Sequence, residues 1–236
     1  LDNLKLIVVF YIDRERSSDI SKKFDVKAFD DLNSILEEVD ALSIVTNTEY
    51  HYKIAEKCLR SKKHVFIEKP ITAMIEEADK LLSMAEQNRV LIQVGHIERL
   101  NPALLALNKY EIKPKFIEIQ RLAPYTSRGT DVPVVLDKMI HDIDILLSLV
   151  KVPIKKTQAT GLSILTDSID IAHARMRFED GTVASVMSSR IARDEVRKIK
   201  IFQKDLYATL DLLIGSTEIY EVVNDKTSKY KMTIPF

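Results

Sequence analysis

The sequence predicts a two-part α/β protein. Residues 1–97 read as a doubly wound parallel sheet, and residues 98–236 as an α+β domain with a large, mainly antiparallel open sheet. Three observations carry this. Up to about residue 96, short apolar runs alternate with helical periodicity, which is the pattern of βαβ crossovers. From residue 155 onward strand-like runs succeed one another with little between them. One long amphipathic segment, 134–150, is available to cover a sheet face.

In chain order, residues 6–11 form a continuous apolar run of strand length, and 17–24 suit a short helix. Asp30 or Asp31 can cap another helix through Glu38, because a carboxylate accepts from the free N–H groups of a first turn. Residues 41–46 make the next strand. In 49–60, Ile54, Ala55, Cys58 and Leu59 recur at helical spacing, which places Cys58 in the core. Residues 65–67 read as a buried strand, 75–87 as a helix and 90–94 as a strand. Beyond the boundary, 116–122 alternates, 125–131 is a polar loop, and 134–150 is one helix with Leu136, Ile140, Ile143 and Leu147 as its buried stripe. Strands follow at 157–164, 170–178, 182–190, 198–203, 208–213, 218–223 and 229–234. Glu179-Asp180-Gly181 and Gly215-Ser216 mark hairpin turns. With one helix to cover one face, the other face is expected to carry Ile171, Ala174, Met176, Val183, Ser185 and Met187. Such a face predicts self-association into a homodimer or homotetramer.

Composition excludes several function classes. The 35 basic and 35 acidic residues balance, so nothing points to nucleic acid or a membrane surface. The apolar runs are too short to span a bilayer. A single cysteine supports no internal disulfide, which fits a reducing compartment and predicts a cytoplasmic location. The five glycines lie far apart and fall well below the usual ~7%. A glycine-rich phosphate loop is therefore not in these residues, and the chain, opening on Leu1, is expected to lack an N-terminal strand, loop and helix.

Two motifs carry chemistry. His64-Val-Phe-Ile-Glu-Lys-Pro70 places Lys69 at the carboxyl end of a parallel strand, where open α/β folds bind ligands, and Pro70 sets a tight, cis-capable bend there. Asp137-Lys-Met-Ile-His-Asp-Ile-Asp144 puts Asp137, His141 and Asp144 at i, i+4 and i+7. A carboxylate one turn before a histidine holds the imidazole tautomer and raises its basicity, as general-base chemistry requires. The same spacing suits an exposed ion pair. No third ligand at zinc spacing accompanies it, so no metal is expected.

Together these motifs resemble the Gfo/Idh/MocA family of NAD(P)-dependent oxidoreductases over essentially the whole chain. The matching residues are Thr46-Asn47-Thr48-Glu49-Tyr50-His51, Glu68-Lys69-Pro70, Gly95-His96 and Asp137-x-x-x-His141-Asp142-x-Asp144. A narrower likeness, through residues 95–102, 121–124 and 127–131, is to members that oxidise the 3-hydroxyl of UDP-N-acetylglucosamine. The family opens on a Rossmann strand and Gly-x-Gly-x-x-Gly loop and ends on a helical return; neither is among these residues, so truncation at both ends is expected. The resemblance implies Lys69, His141 and Asp137 as catalytic residues. It implies Asp13, Thr46, Asn47, Thr48, His51, Glu68, Lys69, Pro70 and His96 as cofactor contacts. Arg99, Arg121 and Arg128 join Lys69, Asp137 and His141 as substrate contacts, guanidinium forks suiting a diphosphate. Asp13 favours NAD, while Arg14 and Arg16 leave NADP open. The implied activity is oxidation of a sugar hydroxyl to a ketone. A dehydrogenase of a free polyol or hexose, or a non-catalytic binder of the same fold, is the alternative.

Overall fold

The computed structural model describes residues 4–126, 132–223 and 226–233, with side chains described up to Glu221. It divides into two compact units, Leu1–Gly95 and His96–Phe236. The expected boundary lay after residue 97.

The first unit runs β1 (Val8–Phe10), α1 (Arg14–Phe24), β2 (Lys27–Phe29), α2 (Leu32–Glu38), β3 (Ala41–Ile44), α3 (Thr48–Arg60), β4 (His64–Ile67), α4 (Ile75–Asn88) and β5 (Ile92–Val94). Every ladder is parallel. The sheet exists as two pieces, β1-β2 and β3-β4-β5, because β1 and β3 share no ladder among the described residues. Asp13 caps α1 by accepting the Arg16 N–H at 3.1 Å, so this helix starts earlier than apolar spacing alone indicates. Of the two aspartates expected to cap α2, Asp31 does so, accepting from Ser34 N–H. The core joins Ala55, Cys58 and Leu59 of α3 to Ile44, Val65, Ile67, Leu81 and Ala85. Burial pushes the Cys58 thiol up to about 11, consistent with packing and not nucleophilic chemistry.

The second unit opens with a 3₁₀ turn, Ile97–Leu100, then α5 (Pro102–Leu105) and a second 3₁₀ turn, Ala106–Lys109. After β6 (Phe116–Leu122) the expected single helix is a π turn, Val135–Met139, continuous with α6 (Ile140–Leu149). Seven strands follow: β7 (Ile154–Leu162), β8 (Ile171–Phe178), β9 (Val183–Ser189), β10 (Val196–Gln203), β11 (Leu206–Asp211), β12 (Ser216–Val223) and β13 (Lys226–Thr233). Their order is β13-β12-β11-β10-β6-β9-β8-β7, antiparallel except for β6 beside β9. Gly181 (φ 86°) turns β8 into β9, and Gly215 (φ 65°) turns β11 into β12, both in backbone space that favours glycine.

Two expectations about faces are corrected. The buried face of the long helix holds Met139, Asp142, Ile145 and Leu146, while Leu147 is exposed. Asp142 and Asp144 enter that buried face because arginines meet them. On the sheet, Ala174 and Met176 lie on the covered side with Ala172 and Phe178. The β8–β9 register pairs His173 with Met187, Arg175 with Ser185 and Arg177 with Val183, so those residues share the open side. An aromatic row, Phe116, Phe202, Tyr207 and Tyr220, crosses the sheet with ring centroids 4.8–5.8 Å apart. The open face is therefore aromatic and basic, not simply apolar.

Candidate active site

The first cluster forms where β3 and β4 end. The Glu68 N–H donates to Ile44 O at 3.0 Å and the Gly95 N–H to Ile67 O at 2.8 Å, which extends the ladder one residue past each strand. Glu68 Oε2 then accepts the Lys69 N–H at 3.2 Å. A Cβ at Gly95 would lie 3.0 Å from that oxygen and 3.1 Å from the Phe66 ring, so an alanine there would crowd the carboxylate and the ring and make them shift. The Lys69–Pro70 peptide is cis. Asn47 caps α3, yet its side chain makes no capping bond, and Thr48 is the first helical residue. The Thr46 hydroxyl donates to Asn47 O.

Within this cluster Gly95→Ala should push the Glu68 carboxylate aside and release the Lys69 N–H. We expect turnover about tenfold lower with little change in melting temperature, the cost of a small misplacement near the chemistry. Kinetics and thermal denaturation of the purified variant check this; an unchanged rate would show that Glu68 need not sit there.

The second cluster belongs to the other unit. Asp137 lies in the π turn, its N–H bonded to Pro133 O and its carboxylate 3.4 Å from Lys138 Nζ. π turns recur at functional sites because they re-aim the side chains they carry. His141 stands in the first turn of α6, half-buried. Behind it runs an ion network. Arg121, 5% exposed, donates from Nε to both Asp142 oxygens at 2.9 and 3.1 Å and from Nη1 to Glu98 at 3.0 Å. Arg197 shares Glu98 at 3.3 Å. Burial pushes the Asp142 carboxyl up to about 6 in spite of Arg121. Arg99 forks onto Asp144 at 2.6 and 2.5 Å, and His96 Nδ1 lies 3.8 Å from the same carboxylate. Among the described residues no three His, Cys, Asp or Glu side chains gather as metal ligands, and no helix is long and apolar enough to cross a membrane.

The family model described as an oxidoreductase family with an NAD-binding Rossmann fold matches residues 1–96. The GFO/IDH/MocA C-terminal domain matches residues 118–205. The chain belongs to the Gfo/Idh/MocA oxidoreductase family. It is 38% identical over 217 residues to UDP-N-acetylglucosamine 3-dehydrogenase of Acidithiobacillus ferrooxidans, covering 92% of this chain and 69% of that protein. The solved structure of that enzyme, GnnA, superposes with a TM-score of 0.93 at 34% identity, covering 98% of this chain and 76% of that one. Myo-inositol 2-dehydrogenase of Thermotoga maritima is 25% identical over 212 residues, 81% of this chain and 63% of that protein.

The residues at the strand ends fit the NAD of a Gfo/Idh/MocA nucleotide-binding unit. Asn47, at the N-terminus of α3, has an amide that its own helix does not use as a cap and that is exposed. Asp13, the expected ribose contact, holds the Arg16 N–H with one oxygen, and Arg16 lies over the Tyr11 ring at 5.1 Å. Arg14 reaches Asp30 at 3.9 Å.

Three expected family contacts need correction or restriction. His51 is 1% exposed and both ring nitrogens meet backbone carbonyls, so no nitrogen remains for a cofactor atom. Arg121 is buried against Asp142 and Glu98, so it braces α6 and is not presented to a diphosphate. Arg128 lies outside the described residues. Arg99 remains more than half exposed while holding Asp144. Two further histidines have structural partners: His64 Nδ1 accepts the Leu91 N–H at 3.0 Å and His173 Nε2 meets the Ser185 hydroxyl at 3.0 Å. Glu98, Asp142 and Arg197 were missed as site-supporting residues; Glu98 stood in the 95–102 likeness as a clue.

Proposed function

We propose that this chain supplies the nicotinamide-binding and substrate-binding parts of a dehydrogenase that oxidises the 3-hydroxyl of UDP-N-acetylglucosamine to the ketone. The observation that carries this reading is the 38% identity, over 92% of the chain, with an enzyme of that name. When bound, the nicotinamide supplies the hydride acceptor. His141 takes the hydroxyl proton at one ring nitrogen as the carbinol is oxidised, and Asp137 orients the ring. Lys69 favours the developing alkoxide with its ammonium. Thr46, Asn47, Thr48, Glu68, Pro70 and Asp13 hold the cofactor, with NAD preferred over NADP. His96 contacts the cofactor and Arg99 the substrate in this reading, and a cytoplasmic location suits the single buried thiol.

The test is reduction of NAD and of NADP by the full-length protein with UDP-N-acetylglucosamine, free hexoses and inositols. NAD reduction with the nucleotide sugar is expected. A preference for an inositol would transfer the reading to the activity named for the Thermotoga relative.

We also propose that the open sheet face pairs two copies into a homodimer or a dimer of dimers. The aromatic row supports this, since such rings are favoured at interfaces. Sedimentation of the full-length protein at micromolar concentration should give a dimer or tetramer, and Tyr207→Arg should shift it toward monomer. A clean monomer for the unaltered protein would end this reading.

A further inference from the structure

We infer that His51 is a positioning residue for Lys69, acting through the backbone of the two loops that carry the proposed chemistry. Its ring lies in the interior of the first unit, 1% exposed, on the first turn of α3. Nδ1 is 2.8 Å from Pro70 O, the carbonyl immediately after Lys69, and Nε2 is 3.0 Å from Thr46 O, immediately before Asn47. One buried ring therefore stands between the loop after β3 and the loop after β4, donating to one of the two carbonyls and lying against the other. On the other side of Lys69, its own N–H is held by Glu68 Oε2. The backbone carrying the ammonium is fixed both before and after the residue.

Packing alone does not call for a histidine here, although its loss would leave the Pro70 and Thr46 carbonyls without this partner. The position adjoins an apolar core of Ala55, Cys58 and Leu59, where a hydrocarbon side chain would enter without the desolvation cost of an imidazole. Carbonyl oxygens only accept, so the ring donates to one of them in either neutral tautomer and to both when doubly protonated. What the polar ring adds is a fixed spacing between two loops. A long, flexible lysine side chain places its nitrogen only as well as its Cα is placed, and a displacement near 1 Å at a reacting group costs up to ~10²-fold.

The inference rests on Lys69 acting as proposed above, and a double-mutant cycle separates the two. His51→Phe keeps roughly the volume and removes the ring N–H that holds the loops; His51→Gln keeps an N–H donor. Each is made in the full-length protein, alone and with Lys69→Ala, and kcat and the KM for NAD are measured. His51→Phe should lower kcat by about 10- to 100-fold while the KM moves less than about threefold, and His51→Gln should recover part of the loss. In the Lys69→Ala background His51→Phe should cost almost nothing more, because the group it positions is gone. A purely structural role would multiply with the Lys69→Ala effect, which overturns the inference. If His51→Phe does not fold, His51→Gln carries the same cycle with the same criterion. Lys69→Ala at the unaltered rate would bring down the proposed function of Lys69 itself, and this inference with it.

Discussion

Lys69→Ala and His141→Ala should each lower turnover by at least ~10²-fold and leave the fold intact, since positioned acid–base assistance contributes ~10²–10⁴. Neither side chain belongs to either apolar core, so truncation opens no cavity there. Both are half-buried, and both stand on elements whose backbone is fixed locally: Lys69 by Glu68 after β4, His141 by α6 directly after the π turn. Asp137→Asn should cost less than His141→Ala, because the amide keeps the shape and removes only charge and orientation. Lys138 already stands 3.4 Å from that carboxylate, so part of its charge is answered within the turn. Steady-state kinetics beside thermal denaturation check all three. Near-unaltered rates in both alanine variants, with normal melting, would eliminate this mechanism.

Elements made of apolar runs were legible in the sequence, as was the Asp31 cap of α2, while the Asp13 cap of α1 and the elements shaped by charge were not. Residues 41–46, 65–67 and 90–94 announced β3, β4 and β5 because a buried parallel strand is a short run of hydrophobes. Lys27-Ala28-Phe29 forms β2 with neither a run nor an alternation to mark it, its ladder supplied by Val8–Phe10. Along 134–150 the period of hydrophobes gave the helix but misread its face. A pattern that scores aspartate as solvent-facing cannot anticipate Asp142 and Asp144 turned inward onto Arg121 and Arg99. The π turn shifts the register further, so stripe arithmetic at i, i+4 and i+7 does not carry across Val135–Met139. On the sheet, Ala174 and Met176 were placed with Ile171 although their parity differs, and the period of two decides such cases outright. Lys69, Glu68 and Gly95 were visible as motifs. The contacts that fix them, a carboxylate lying over a glycine and a histidine bridging two carbonyls, are tertiary and have no spacing to betray them.

Arg121→Met should destabilise the second unit by about 3–5 kcal/mol, because it strands a buried carboxylate while filling most of the arginine's volume. Asp142 is 1% exposed; besides Arg121 it has the Ser188 hydroxyl at 3.4 Å. Glu98 would keep Arg197 at 3.3 Å, so the loss falls chiefly on Asp142. The pH dependence distinguishes this from a packing defect. Burial already raises Asp142 to about 6 with Arg121 present, above the ~3.9 of an unfolded chain. A raised carboxyl binds its proton more tightly in the folded state. Its favourable contribution is therefore complete below about 4 and is lost as pH rises through about 6. Without the guanidinium the folded value rises further, and protonation turns the stranded charge into a neutral acid. The deficit of Arg121→Met should accordingly be largest near neutral pH and shrink on acidification toward about 5, and Asp142→Asn in the same background should restore much of it at neutral pH. Denaturant titrations at the two pH values measure both. An equal deficit at each, with no relief from the second substitution, would mean that packing, not an unanswered carboxylate, is what Arg121 provides.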